Sequence, residues 1–539
     1  MPTDRRGFLK TAGLVAAGVA LAPHELVGEV SAERARALRS HPLRIRGRVV
    51  TDSGRPLARV PVSDGLQVVD TGADGQFELV STGGRPFVHL TTPSGYQIAT
   101  SRRGTARFFE RIRDQGGGEM SVEFQLTPLE SSDLRHRMLV LADPQTQTEE
   151  ELGFLHAQTV PDVQALLVED EGFETFGIGC GDIMFNDLDL FPGWEEAVGR
   201  MGVPFFQVVG NHDILYHDHG NAGVTDVFSD HFGPEHYSFN RGAVHYVVLN
   251  DVYWHGAGYI GYVSPEQLAW LEADLARVEP GRTVVLAVHI PLMQTGHLRL
   301  GQNRPSLSGT VTNRQAIYRL LEPYRAHVVS GHTHQQEHVF EGGVHEHIHG
   351  TVCGAWWSGP ICRDGTPNGY GVYEARGEEL RWQYKSTGYD PDHQLRAYLP
   401  EDDPEDEGRV TANVWNWDPS WTVVAHEGSD RRGALESRVL PDPLSVQIHS
   451  GPELPPRRTW VHPFPTEHMF VTDLELDPRQ VVVEAIDPWG RSYAARPTSI
   501  REIEAWAWRA FPRAPTLPYR TRAPEERLAL TTPSGPRPG

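Results

Sequence analysis

An α/β fold with a β-rich module on either side is what this 539-residue sequence predicts, on three observations. Residues 43–128 carry short alternating runs broken by turn pairs, residues 135–388 alternate apolar strands with helical stretches, and residues 409–510 return to aromatic and β-branched alternation. A chain of this length exceeds a single core, so roughly three domains are expected at about 100 to 200 residues each.

In the first module the turns are Asp52-Ser53-Gly54, Asp64-Gly65 and Asp74-Gly75, and Val60, Val62, Phe77, Leu79 and Val88 supply inward faces. That pattern reads as a small antiparallel β-sandwich. Gly47 to Leu57, followed by Asp74 to Phe77, resembles the transthyretin-like or carboxypeptidase-regulatory-like modules, whose role here is packing and spacing. In the middle region Ser264-Pro265-Glu266-Gln267 offers an N-cap, a first-turn proline and a capping-box residue, with Leu268, Leu271 and Leu275 on one face. Further helices are expected at 149–169, 192–201 and 313–325. The acidic, proline-punctuated run at 399–408 reads as a solvated linker and a domain boundary. Val414-Trp415-Asn416-Trp417 and Val481 to Val483 belong to the last β-rich domain, and 511–539 forms a tail rich in Pro and Arg.

At the start, Arg5-Arg6-Gly7-Phe8-Leu9-Lys10 precedes a weakly apolar run from Thr11 to Ala22, too short to cross a ~30 Å hydrocarbon core. Residues 1–32 therefore resemble a twin-arginine export signal, with cleavage after Ala22 or Ala32. Such a signal implies the twin-arginine machinery as a partner and an extracellular, cell-envelope or periplasmic location. A membrane span is not expected. Three cysteines build no disulfide framework: Cys180 reads as a small buried residue, and Cys353 and Cys362 either pair or remain free thiols. A formal charge of −22 argues against general binding to nucleic acid or anionic membranes, so any affinity for phosphate must be local.

Chemistry is concentrated in the middle region, where five apolar runs end directly in metal-type ligands. They are Met138–Ala142 into Asp143-Pro144-Gln145, Phe176–Cys180 into Gly181-Asp182, Phe205–Val209 into Gly210-Asn211-His212-Asp213, Val284–Val288 into His289, and His327–Ser330 into Gly331-His332-Thr333-His334. A lone Asp after a strand is usually a turn or cap, and a lone His usually a satisfied core residue. Five such clusters in order are not explained that way. Ligands gather at the carboxyl ends of strands in α/β sheets, so the five are expected to meet at one sheet edge.

Two cations roughly 3.5 to 4 Å apart can clamp the attacking and leaving oxygens of an in-line phosphoryl displacement, and need about seven protein ligands. Asp182 is the bridging carboxylate in this reading; Asp143, Gln145 and His334 hold the first ion, and Asn211, His289 and His332 the second. His212, beside Asp213 as its orienting partner, is left to protonate the leaving alkoxide while a metal-bridging hydroxide attacks phosphorus, or else is an eighth ligand.

From Leu139 to about Tyr373, the pattern Asp-x-Gln, Gly-Asp, Gly-Asn-His-Asp, His and Gly-His-Thr-His resembles the calcineurin-like metallophosphoesterase superfamily, in an exported form with N- and C-terminal β-domains. The stretches Phe232 to Phe239 and Val247 to Asn250 share the likeness. The resemblance implies a double β-sheet sandwich flanked by helices, two divalent or trivalent ions such as Mn, Fe, Zn or Mg, and hydrolysis of phosphate mono- or diesters. One departure is Gln145, where the family usually has His; an amide oxygen is the harder ligand and shifts preference toward Mn or Mg. Trp356 and Trp357 follow the last motif and either line the pocket or pack into core as part of a strand. A different class of function, a non-catalytic cell-surface binding protein with a structural metal site, is opposed by the near-complete ligand set.

Overall fold

A computed structural model describes residues 42–82, 85–169, 172–217, 220–400, 409–472 and 476–511. The proposed export signal at 1–32, the run 401–408 and the tail from 512 lie outside these residues.

Two β-sheets face one another at the centre. The five-stranded sheet has the order Phe205–Val208, Glu174–Cys180, Arg135–Leu141, Gly369–Arg376, Glu379–Ser386; its first three strands are parallel and its last two antiparallel. The six-stranded sheet has the order Tyr237–Arg241, Val244–Val248, Thr283–Ala287, Arg325–Ser330, Val344–Ile348, Glu337–Glu341.

Period-two alternation assigns the faces. Met138 and Val140 meet Phe176, Ile178, Tyr246, Val285 and Val329 between the sheets, whereas Leu139 and Leu141 point outward to pack with Leu152, Val163, Trp194 and Val198 of the covering helices. Across the other sheet, Val247, Leu286 and Val328 lie against Trp270, Leu271 and Ile317. Strands buried on both faces explain why these segments read as unbroken apolar runs instead of alternating ones.

Among the helices, Pro265–Leu275 is capped by the Ser264 side chain, which accepts a hydrogen bond from the Gln267 amide. The expected helix at 149–169 is interrupted by a π-helical turn over Leu155–Thr159. The expected helix at 313–325 ends at Leu321, because Arg325 opens the strand Arg325–Ser330.

The N-terminal module is a sandwich of a three-stranded and a four-stranded sheet, and Val60, Val62, Phe77, Leu79 and Val88 are all in its core. The C-terminal module holds two four-stranded sheets and requires a correction to the expected boundary. Arg396–Tyr398 pairs with Thr411–Asn413, so the acidic run joins two strands of one sheet and is not a linker between domains. An acidic, proline-punctuated sequence suits a connection between strands as well as a linker between domains, and the pattern is the same for both. None of the helices in the described residues is long and apolar enough to cross a membrane.

Candidate metal centre

Three of the five ligand clusters leave the five-stranded sheet and two leave the six-stranded one. The expectation of a single sheet edge is corrected accordingly: the donors meet where the carboxyl ends of two facing sheets adjoin, and neither sheet alone carries the set.

The turns that carry the ligands are backbone-strained. Asp143, Gln145, Asp182, His332 and His334 have φ of 45°, 40°, 46°, 71° and 55°, in the left-handed region that costs a non-glycine residue about 1 kcal/mol or more. Five such residues within one cluster point to a geometry held for chemistry. Two motif glycines are fixed by close approach. A Cβ on Gly210 would lie 2.4 Å from Asp182 Oδ1, and one on Gly331 would lie 2.3 Å from Asp143 Oδ2.

The donors then fall into two groups. In one, Asp143 Oδ1 lies 3.5 Å from His334 Nε2; that oxygen and Gln145 Oε1 are buried without a hydrogen-bond partner. In the other, His289 Nε2 lies 3.1 Å from Asn211 Oδ1, 3.2 Å from Asp182 Oδ1 and 3.2 Å from His332 Nδ1. Asp182, His289 and His332 offer ligand atoms that all fall within 4.8 Å of one another.

Surrounding groups aim these atoms. His289 Nδ1 pairs with the Cys180 carbonyl at 3.1 Å and His334 Nδ1 with the Gly354 carbonyl at 2.8 Å. In the neutral ring, an N–H donated to a carbonyl leaves Nε2 as the lone-pair nitrogen. The His332 amide donates to Asp143 Oδ2, and the His212 amide to Asp182 Oδ1, both at 2.9 Å.

Electrostatics fit cations. Burial lifts the Asp143 carboxyl well above its ordinary range, with Asp182 adding to the rise. At His289 burial acts downward, but Asp182, Asp143 and Asp251 outweigh it and lift the ring to about 10. Desolvated carboxylates are drawing positive charge into the site. Burial holds His332 and His334 down at about 3, so both are neutral, as ligation requires.

His212 stacks on Phe185 at 4.4 Å between ring centroids, and its Nε2 lies 4.0 Å from Asp182 Oδ2. Its orienting partner differs from the expected one. The Asp213 carboxylate is fully buried and accepts from the amides of Ile183, Met184 and Gly210, and so ties together the two turns that carry Asp182 and Asn211. The His212 Nδ1 instead faces Asn186 Oδ1 at 2.7 Å, and Tyr216 donates to that same oxygen at 2.8 Å. An Asp next in sequence to a His at a tight turn projects to the other side of the chain, which is why adjacency misled. Asn186 and Tyr216 carry no motif signal and were not singled out by sequence.

The two tryptophans are not in a strand. Both adopt positive φ, 54° at Trp356 and 57° at Trp357. Trp357 is buried in the core beneath the helices, whereas Trp356 stacks on His334 at 4.0 Å and meets Trp460 of the C-terminal module at 4.6 Å. That module also sends Arg458 to Gln147 and Glu151, at 2.9 and 3.0 Å, and over the ring of Phe185. Cys180, Cys353 and Cys362 are free and buried.

Three family models match consecutive segments of the chain. Residues 136–336 match the family Calcineurin-like phosphoesterase, residues 43–129 the N terminal of Calcineurin-like phosphoesterase, and residues 346–493 the C terminal of Calcineurin-like phosphoesterase. Purple acid phosphatase 13 of Arabidopsis thaliana is 31% identical over 139 residues, 22% of this chain and 24% of that protein, so the match spans about a quarter of the length of that curated relative. Among solved structures, a purple acid phosphatase from yellow lupin seeds is 13% identical with a TM-score of 0.36, over 61% of this chain and 67% of that one. The phosphopantetheinyl hydrolase of Mycobacterium tuberculosis is 16% identical with a TM-score of 0.27, over 41% of this chain and 91% of that one. With all three segments of one architecture matched in order across residues 43–493, the chain belongs to the calcineurin-like phosphoesterase family.

Proposed function

We propose that this protein is an exported phosphoester hydrolase working at a dinuclear metal centre, on phosphate mono- or diesters. The observation that carries the reading is the pair of buried, unpartnered oxygens, Asp143 Oδ1 and Gln145 Oε1, beside a second group of nitrogen and oxygen donors at 3.1 to 3.2 Å. A buried acceptor without a partner costs about 1 to 3 kcal/mol, which a cation would recover.

Asp143, Gln145 and His334 would hold one ion and Asn211, His289 and His332 the other, with Asp182 between them. When bound, such ions bind phosphoryl oxygens and activate water as a nucleophile. The chain's own contribution is orientation and proton delivery. Asn186 Oδ1 accepts from His212 Nδ1 and so fixes the ring, and in the protonated ring the Nε2–H on the partly exposed side is left to give its proton to the leaving oxygen. Trp356 and Trp460 form an aromatic wall beside His334, suited to an apolar or planar leaving group.

Hydrolysis of aryl phosphate mono- and diesters by the manganese-loaded protein tests the reading, with Asp182→Ala and His212→Ala as controls. Activity in the wild type and its loss in both variants is expected; a folded, metal-loaded wild type that turns over neither ester rules the activity out. Export by the twin-arginine route rests on Arg5-Arg6 and the run behind them. Replacing both arginines by lysine is expected to leave the protein inside the producing cell, and export of that variant unchanged contradicts the route.

A further inference from the structure

We propose that the protein carries a third metal site, outside the dinuclear centre, in which His327, His345 and His347 bind one divalent transition ion of the imidazole-preferring class, with zinc as its type.

Strand register builds the cluster. His345 and His347 are two apart on Val344–Ile348 and so share a face of the six-stranded sheet. In the neighbouring parallel strand His327 is the cross-strand partner of His345, and in the antiparallel edge strand His338 is the partner of His347. Four imidazoles from three adjacent strands therefore stand side by side. The ligand atoms of His327, His345 and His347 lie within 4.8 Å of one another.

His327 Nδ1 is 3.1 Å from His347 Nε2, near the ~3.4 Å separation of two nitrogens each about 2.05 Å from one tetrahedral zinc. The His347 ring is fully buried, with centroids 3.9 Å from His345, 5.3 Å from His327 and 5.0 Å from His338, and its Nδ1 has no hydrogen-bond partner. The ring thus stands among three other imidazoles, with its Nε2 toward His327 and its Nδ1 free of hydrogen bonds.

Support comes from the groups around it. His338 Nδ1 lies 3.0 Å from His345 Nε2, and its other nitrogen is 3.1 Å from Asn416 Oδ1, the kind of relay that fixes a ligating ring. Asp418 places a carboxylate oxygen within 4.8 Å of the ligand atoms of His338 and His345, which supplies negative charge for a dication. Burial keeps His327 at about 4 and lowers His338, His345 and His347 as well, so that their lone pairs are free at neutral pH. Imidazole-only donors suit zinc, copper or nickel and not magnesium or calcium. Three residues of strand, about 10 Å, carry the chain from His327 to Ser330 before the turn that holds His332 begins, so the cluster is set apart from the phosphate chemistry. Asn416, Asp418 and Trp489, which packs on Trp382 beside the histidines, all come from the C-terminal module, so the ion sits at the seam between module and sheet.

The test is zinc content per chain, measured by elemental analysis of the full-length protein after zinc loading and dialysis. His345→Gln and His327→Gln, each at a half-buried position, are each expected to hold one zinc fewer than wild type and to keep manganese-supported phosphatase activity within about twofold. Zinc is also expected to raise the melting temperature of wild type more than that of either variant. Equal zinc content in wild type and a folded variant overturns the proposal. Because the readout is a difference of one ion, it holds whether or not the dinuclear centre is active. Should one variant fail to fold, the other reads the same site from a different strand.

Discussion

The side-chain amide of Gln145 donates to Asp182 Oδ2 across 2.9 Å, while its own Oε1 stays buried and unpartnered. One residue thus both steadies the carboxylate placed between the two donor groups and offers an oxygen to the first. Gln145→Ala is expected to weaken binding of one ion and lower kcat/KM by about 10- to 100-fold. Gln145→His restores an imidazole and is expected to shift preference from manganese toward zinc. Titration of the metal-free protein with each ion, followed by rate measurement, checks both.

His212, Asn186 and Asp213 separate catalysis from scaffolding. His212→Ala is expected to lower kcat by about 10²- to 10⁴-fold with metal content unchanged. Asn186→Ala is expected to cost roughly tenfold, through loss of ring orientation alone. Asp213→Ala leaves three buried amides without an acceptor and is expected to destabilise the fold by about 3 kcal/mol or more. Urea unfolding separates this last effect from the first two.

Gly331→Ala drives a methyl group to 2.3 Å from Asp143 Oδ2. Displacement of the carboxylate is expected to reduce affinity for the first ion by at least tenfold, with a stability loss of about 1 to 3 kcal/mol. Binding isotherms and a thermal melt on the metal-free form read the two separately.

Acid stability follows from His136, buried between the sheets with Nδ1 on the Asp133 carbonyl and Nε2 on the Tyr246 hydroxyl. Burial lowers it to about 4, against roughly 6.5 in an unfolded chain. Below ~6.5 the unfolded state takes up a proton that the folded state refuses, so stability is full above that pH and falls toward pH 4, by up to about 1.4 kcal/mol per pH unit. His136→Gln is expected to be less stable at pH 7 and to show a shallower decline between pH 6.5 and 4.5 in urea titrations.

Much of this was legible in the residues because most of the ligands follow an apolar run that reads as a doubly buried strand, as at Phe205–Val208 before Asn211. Backbone connectivity fixes such relations over a few positions. What escaped depends on pairing between distant segments: that Arg396–Tyr398 joins the C-terminal sheet, that two sheets share the site, and that Asn186 comes within 2.7 Å of His212. The histidine cluster belongs to the same class, since His327 and His345 meet only once the register of parallel strands is known. Between the two readings of Trp356 the sequence does not choose, for another reason. Its left-handed backbone turns the ring onto His334, and nothing in a Trp-Trp pair announces a positive φ.

The claim that two cations share this junction of sheets is tested most directly by anomalous scattering from crystals of the manganese-loaded protein. Two peaks are expected, one among Asp143, Gln145 and His334 and one among Asn211, His289 and His332, with Asp182 within bonding distance of both. A single peak, or none between these residues, contradicts the account.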